Sequence, residues 1–247
     1  MPVKKSMEIS YFRLDFFPLT MHDWTMCGRM NVTDSPFVRE LMQGLGMSVS
    51  PQSKRNIAPG STTAILLQDA EGRKLKEAYW SLLIEAKPGK SGYRPNPKWA
   101  TFNAKSTRLQ SSRLWSSAFK SQRAIIPASC FFEWKDKVCH AIAPLDKAIA
   151  FAGLYRGWEF EGEVVYSFTV ITLPKQAAFS HIHEKSYPLM LEEGEYERWL
   201  DPDFRNVEAF DDLLNSGIRR DISVIPVDSP NTMEVTGDTE IISRQVA

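Results

Sequence analysis

Four side chains in this sequence have types suited to covalent chemistry at a carbonyl. Cys27 follows a methionine in Met26-Cys27-Gly28-Arg29. Asn103 lies in Phe102-Asn103-Ala104-Lys105, Glu133 in Phe131-Phe132-Glu133-Trp134, and His183 in Ser180-His181-Ile182-His183-Glu184-Lys185. A cysteine that begins a chain differs from an internal one. Its α-amine has a pKa of about 8 and its thiol of about 8.5, so both have reactive fractions near neutrality. The amine condenses with an aldehyde to an imine, and the thiol then closes a five-membered thiazolidine on the same carbon. An internal cysteine cannot do this, because its nitrogen is an amide. Removal of Met26 before so small a residue would supply the free amine. Each residue taken singly has a plainer reading: a small buried hydrophobe for Cys27, a turn residue for Asn103, a paired surface carboxylate for Glu133 and a structural histidine for His183.

The elements that must position these residues are short strands. Thr62–Gln68, Leu75–Ile84, Ala124–Trp134, Ala148–Tyr155 and Val164–Leu173 are apolar or alternating runs bounded by turn residues. Phe131–Trp134 and Val138–Ala143 flank Lys135-Asp136-Lys137 as a hairpin, and Glu161-Gly162 marks another tight turn. Alternation along the first hairpin would send Glu133 to one face and its aromatic neighbours to the other. Helices are fewer. Ser35 is placed as an N-cap with Pro36 at the first helical position, apolar residues recur at helical spacing to Leu45, and Gly46 ends the run. Val207–Leu214 and Gly194–Leu200 read as further helices, with short ones at Ser111–Phe119 and Lys175–Phe179. The pattern predicts an α+β fold, a single compact strand-rich domain with helices at its periphery.

The bulk numbers narrow the function classes. The chain has 247 residues with 30 basic and 30 acidic side chains, so no global attraction to nucleic acid is expected and any polyanion site is local. Lys87 to Arg123 carries nine cations and no carboxylate, either a solvated face or a phosphate-tracking groove. Trp80, Trp99 and Trp115 lie in or near it, and Trp80 is a candidate to stack on a base. Three scattered cysteines without a CxxC pair argue for a reducing compartment and against a disulfide framework. No run of about 18 apolar residues is present, so no membrane span is expected and the reading is cytoplasmic. His181 and His183 are spaced as metal ligands, but no third ligand accompanies them. Neither a metal nor a cofactor is expected.

The ordered set Met-Cys-Gly-Arg, Asn56-Ile57-Ala58-Pro59-Gly60, Phe102-Asn103-Ala104, Phe131-Phe132-Glu133-Trp134 and Ile182-His183-Glu184-Lys185 with a following proline resembles the SRAP family over Met26 to about Val227. That family comprises the bacterial abasic-site processing proteins, historically called SOS response-associated peptidases, and a eukaryotic relative. The resemblance implies a curved or barrel-like antiparallel sheet and a protein that crosslinks to abasic sites in single-stranded DNA, also at single-strand/double-strand junctions, as a monomer. It implies Cys27 as crosslinking nucleophile, Asn103 as the residue orienting the reacting centre, Glu133 in acid–base steps and His183 as the active-site histidine. Arg29, Lys105, Arg108 and Lys185 fall where DNA contacts are expected. The chemistry suits these roles. Asn103 can donate and accept. Aromatic neighbours would partly desolvate the Glu133 carboxylate, which suits a group that takes up and returns a proton. His183 can protonate the ring oxygen of a closed abasic sugar and so favour the open aldehyde. The chain departs from the family pattern in Lys105, Thr107 and Arg108 after Asn103, in Lys185-Ser186-Tyr187-Pro188 after the histidine, and in Ser81 where glycine is usual. Lysine is a point charge, so bidentate phosphate contacts are weakened.

Twenty-six residues precede Cys27. Either translation starts at Met26 or the chain cuts itself before Cys27. The expectation is that 1–25 form an extension without a core role, 26–230 the domain and 231–247 a tail. Two rival readings stay open: a peptidase of the N-terminal-nucleophile kind, and a non-covalent reader of single-stranded DNA.

Overall fold

The computed structural model describes residues 28–245. The extension expected at 1–25, and Cys27 itself, lie outside the described residues. In chain order the first elements are β1 (Met30–Val32), α1 (Pro36–Gly44), β2 (Lys54–Ile57), β3 (Thr62–Asp69) and β4 (Gly72–Trp80). They are followed by β5 (Ile84–Ala86), β6 (Tyr93–Pro95), β7 (Asn103–Lys105), α2 (Ser116–Ser121), β8 (Arg123–Ala128), β9 (Cys130–Lys135) and β10 (Val138–Pro144). The last are β11 (Ile149–Phe160), β12 (Glu163–Pro174), β13 (Ser186–Pro188), α3 (Tyr196–Leu200), α4 (Asp211–Leu214), β14 (Ile222–Val227) and β15 (Glu240–Ile242).

Local chemistry explains the boundaries. Ser35 caps α1, its hydroxyl accepting from the Val38 amide at 3.2 Å, and Gly46 leaves it in the left-handed region at φ 71°. Lys135 belongs to β9, paired with Val138, so the β9–β10 turn is only Asp136-Lys137, both at positive φ. Glu161-Gly162 turns β11 into β12 in the same way. Two successive left-handed residues match the twist of the flanking strands. The run Ala124–Trp134, expected as one strand, is two. Ser129 breaks it: its amide donates to the Asn31 carbonyl at 2.8 Å and its hydroxyl accepts from the Thr33 amide at 2.8 Å. β8 and β9 thereby enter different sheets.

β11, β8, β3, β4 and β12 form a closed barrel, with β11 paired to β12 across the closure. The pairings are antiparallel except that β12 runs parallel to β4 and to β7. Gly153 lies where β11 crosses both neighbours; a Cβ there would run into Ile126 and stand 2.6 Å from the Thr169 carbonyl oxygen. An open antiparallel sheet, β15-β14-β10-β9-β1-β2, packs one face on the barrel. Phe131 anchors that face among Phe151, Phe179 and Tyr187, with ring centroids 6.0–6.4 Å away. Such a side chain contributes about 2–3 kcal/mol on burial. Cys130, Phe132, Cys139, Ala141 and Val227 make a small second core on the other face. The segment after 230, expected as a tail, supplies edge strand β15, whose Ile242 is buried in the main core.

Candidate functional site

Strand alternation puts Phe131, Glu133 and Lys135 on the barrel-facing side of β9, and residues 179–187 lie along that side. Phe131 meets Phe179 and Tyr187. Two residues on, Glu133 Oε2 stands 3.1 Å from His183 Nδ1, with side-chain exposures of 5% and 7%. Two further, Lys135 Nζ meets Glu184 Oε1 at 3.0 Å in solvent. The backbone of His183 is held by a turn, its amide donating to the Phe179 carbonyl at 2.9 Å. Glu133 Oε1 and His183 Nε2 are buried and make no hydrogen bond to any described residue. Leaving a buried polar atom without a partner costs about 1–3 kcal/mol, so atoms of this kind call for a physical reason. The outer pair is ordinary by contrast: Lys135 holds the Glu184 carboxyl below the usual carboxylate range, and Glu184 raises the Lys135 ammonium.

Asn103 is buried at the start of β7, which pairs with β12. Two residues predicted from sequence for other reasons set this strand. Trp80 was expected to contact DNA. It is instead 1% exposed, its ring stacked on Phe168 at 5.8 Å and its indole N–H donating to the Phe102 carbonyl at 2.8 Å. It has no free face for a base and positions the residue before Asn103. Ser81 is buried, its hydroxyl 3.1 Å from that of Thr101. The last residues of β12 have β7 on one edge and β13 on the other: Thr172 faces both Lys105 and Pro188. The buried hydroxyls of Ser106, Thr172 and Ser186 in these segments also lack a described hydrogen-bond partner. Asn103 and the His183 loop therefore border one end of one strand, while Glu133 reaches His183 from the other sheet.

The predicted cations are spread around this end. Lys105, Arg108 and Lys185 are exposed and Arg29 is half-buried. Arg29 bonds the Asn56 side chain, and the Asn56 amide donates to Asn31 Oδ1 at 2.6 Å. The Arg29 carbonyl accepts from the Phe132 amide at 3.0 Å, so the chain leading back to Gly28 runs beside β9 next to Glu133. Not all of the acid-free stretch faces solvent. Arg123 is 2% exposed and donates to the carbonyls of Trp199, Phe119, Lys120, Asp201 and Phe204, and Arg94 is bound to Glu85. Burial lowers the Arg123 guanidinium to about 10. Sequence reasoning missed His140, the direct cross-strand partner of Glu133; only the register reveals it. It also passed over Trp134, which neighbours Glu133 in sequence and is 43% exposed. No group of three metal-capable side chains occurs among the described residues, and none of their helices is long and apolar enough to cross a membrane.

The model of the SOS response associated peptidase (SRAP) family matches residues 26–231, and the chain belongs to that family. Abasic site processing protein YobE of Bacillus subtilis is 29% identical over 167 residues, 64% of this chain and 73% of that protein. Abasic site processing protein YoqW of the same organism is 29% identical over 182 residues, 70% and 78% of the two chains. Abasic site processing protein HMCES of Xenopus tropicalis is 26% identical over 193 residues, 63% and 56%. A crystal structure of a Bordetella bronchiseptica protein shares the fold with TM-score 0.63 at 19% identity, covering 82% of this chain and 100% of that one. A phage-related protein from the same organism gives 0.60 at 21%, covering 85% and 100%.

Proposed function

We propose that this chain captures abasic sites in single-stranded DNA as a covalent thiazolidine through Cys27 once that residue carries a free α-amine. The observation that carries the reading is the buried Glu133–His183 pair, each member keeping one polar atom without a partner among the described residues, on the motifs that mark the family. The relatives named as abasic site processing proteins support it.

His183 donates a proton to the ring oxygen of the closed sugar and frees the aldehyde. Glu133 takes a proton from the Cys27 ammonium. The amine adds to the aldehyde carbon, Asn103 orients the adduct, and loss of water gives the imine. The thiol sulfur then bonds that carbon while its proton passes to nitrogen. An imine that fails to close can lose the 3′ phosphate by elimination, a weak lyase activity. Lys105, Arg108, Lys185 and Arg29 hold phosphates, and Trp134 offers a ring face to an unpaired base. The terminus arises by initiation at Met26 or by cleavage in cis before Cys27.

The test starts from the chain beginning at Met26, incubated with an oligonucleotide bearing one abasic site. A denaturation-stable adduct is expected, and Cys27→Ala abolishes it. An adduct of undiminished yield in that variant, or none in the parent, overturns the proposal. The mass of the N-terminus of the 247-residue product separates the two routes: self-cleavage leaves a chain beginning at Cys27, and an intact Met1 rules it out.

A further inference from the structure

The thiazolidine reaction leaves one proton to be disposed of. Near neutrality the α-amine is mostly ammonium and the thiol mostly protonated. Condensation releases water, ring closure moves the thiol hydrogen onto nitrogen, and the product is a neutral secondary amine. One proton per adduct must therefore reach bulk solvent. Glu133 and His183, which handle protons in the proposed reaction, are both buried.

The inner face of the open sheet offers another way out. His140 stands directly across from Glu133 in the β9–β10 register, which places their Cβ atoms about 5 Å apart on the same face. His140 is half-buried, and its Nδ1 is buried without a hydrogen-bond partner among the described residues. Ile142, two residues along β10, pairs with Val224, and Val224 pairs with Glu240 of β15, so Glu240 lies on that same face. Glu240 Oε2 meets His181 Nε2 at 2.8 Å, with both side chains about half exposed. Exposure thus rises from Glu133 through His140 to His181 and Glu240. Glu240 lies beyond residue 231, outside the stretch matched by the family.

We infer that His140, with His181 and Glu240, relays the proton taken up by Glu133 to solvent. The inference rests on the proposed acid–base role of Glu133. The titratable groups that face His140 are Glu133 across the β9–β10 register, Glu240 on β15 and His181 in the loop. Burial, opposed by contacts with the backbone of Glu133 and Val138, holds His140 below the ordinary histidine range. It is neutral near pH 7 and can accept the proton. Protonation then favours the step outward, toward the Glu240 carboxylate. Imidazole is the side chain suited to such a shuttle, since it gains and loses protons near physiological pH.

The experiment is the single-turnover rate of adduct formation between pH 5.5 and 8.5, using the chain that begins at Met26 and the abasic oligonucleotide. His140→Gln is expected to slow the reaction about tenfold below pH 7, and millimolar free imidazole to restore most of the loss. Glu240→Gln is expected to slow it about threefold and to respond to imidazole in the same way. Binding of an oligonucleotide carrying a tetrahydrofuran analogue, which has no aldehyde, should stay within twofold in both, showing an intact fold; His140→Asn replaces a His140→Gln protein that fails this control. A rate within twofold of the parent across the range, or a slowed rate that free imidazole does not raise, overturns the relay. Absence of adduct in the parent itself overturns instead the reading of the site.

Discussion

β9 carries two ion pairs to the same loop, two residues apart and on the same face. Glu133–His183 and Lys135–Glu184 span nearly equal distances, 3.1 and 3.0 Å. The inner pair is buried and each member has a polar atom with no hydrogen-bond partner among the described residues, whereas the outer pair stands in solvent. A solvent-exposed pair in high dielectric contributes little and is screened by salt, while a buried pair is held by its surroundings and is costly to break. Distance and charge alone do not tell the two pairs apart; burial and unspent hydrogen-bonding capacity do.

The sharpest way to break the comparison is substitution. Glu133→Gln is expected to slow adduct formation by at least about 100-fold, in the range of a lost general acid–base group. Glu184→Gln should stay within about twofold in the same gel assay. Equal effects would erase the distinction. A double-mutant cycle sharpens it: Glu133→Gln with His183→Gln should be scarcely slower than either single variant, because the pair acts as a unit. Lys135→Met with Glu184→Gln should show no coupling in rate.

Smaller effects concern stability. Raising salt from about 0.05 to 0.5 M shortens the screening length several-fold. The difference in thermal midpoint between the parent and Glu184→Gln should shrink accordingly, and that of Glu133→Gln should persist. The least effect is in pH. The Glu184 carboxyl is held below its unfolded value of 4.5, chiefly by the hydrogen bond from Lys135. Its contribution is therefore full above pH 4.5 and is lost as pH falls through the depressed folded value. Thermal melts of the parent and Glu184→Gln should differ by a constant amount from pH 7 to 5 and converge below 4.5.

What the sequence disclosed was local. The cap and terminator of α1, the tight turns after β9 and β11 and the opposite faces of Glu133 and its aromatic neighbours all follow from residues within a few positions of one another. What it concealed depends on partners far along the chain. Ser129 looks like one polar residue in an apolar run, and only its bonds to β1 divide β8 from β9. Trp80 in a basic stretch suggests a stacking surface until Phe168 covers it. His140 carries no signal until strand register sets it opposite Glu133, and β15 is too short to announce itself. The site was legible as a set of residue types, and its geometry only as a product of pairing.

Arg123 has a consequence for how tightly the protein can hold a polyanion. Phosphate binding by basic side chains is driven by release of condensed counterions, and each contact to a single strand steepens the slope of log K against log salt by about 0.7. Of the nine cations between Lys87 and Arg123, Arg123 is consumed by five backbone carbonyls and Arg94 by Glu85. The seven that remain bound the contribution of this stretch to a slope of about −5. The guanidinium that looks in sequence like the end of a nucleic-acid groove therefore releases no counterion when DNA binds.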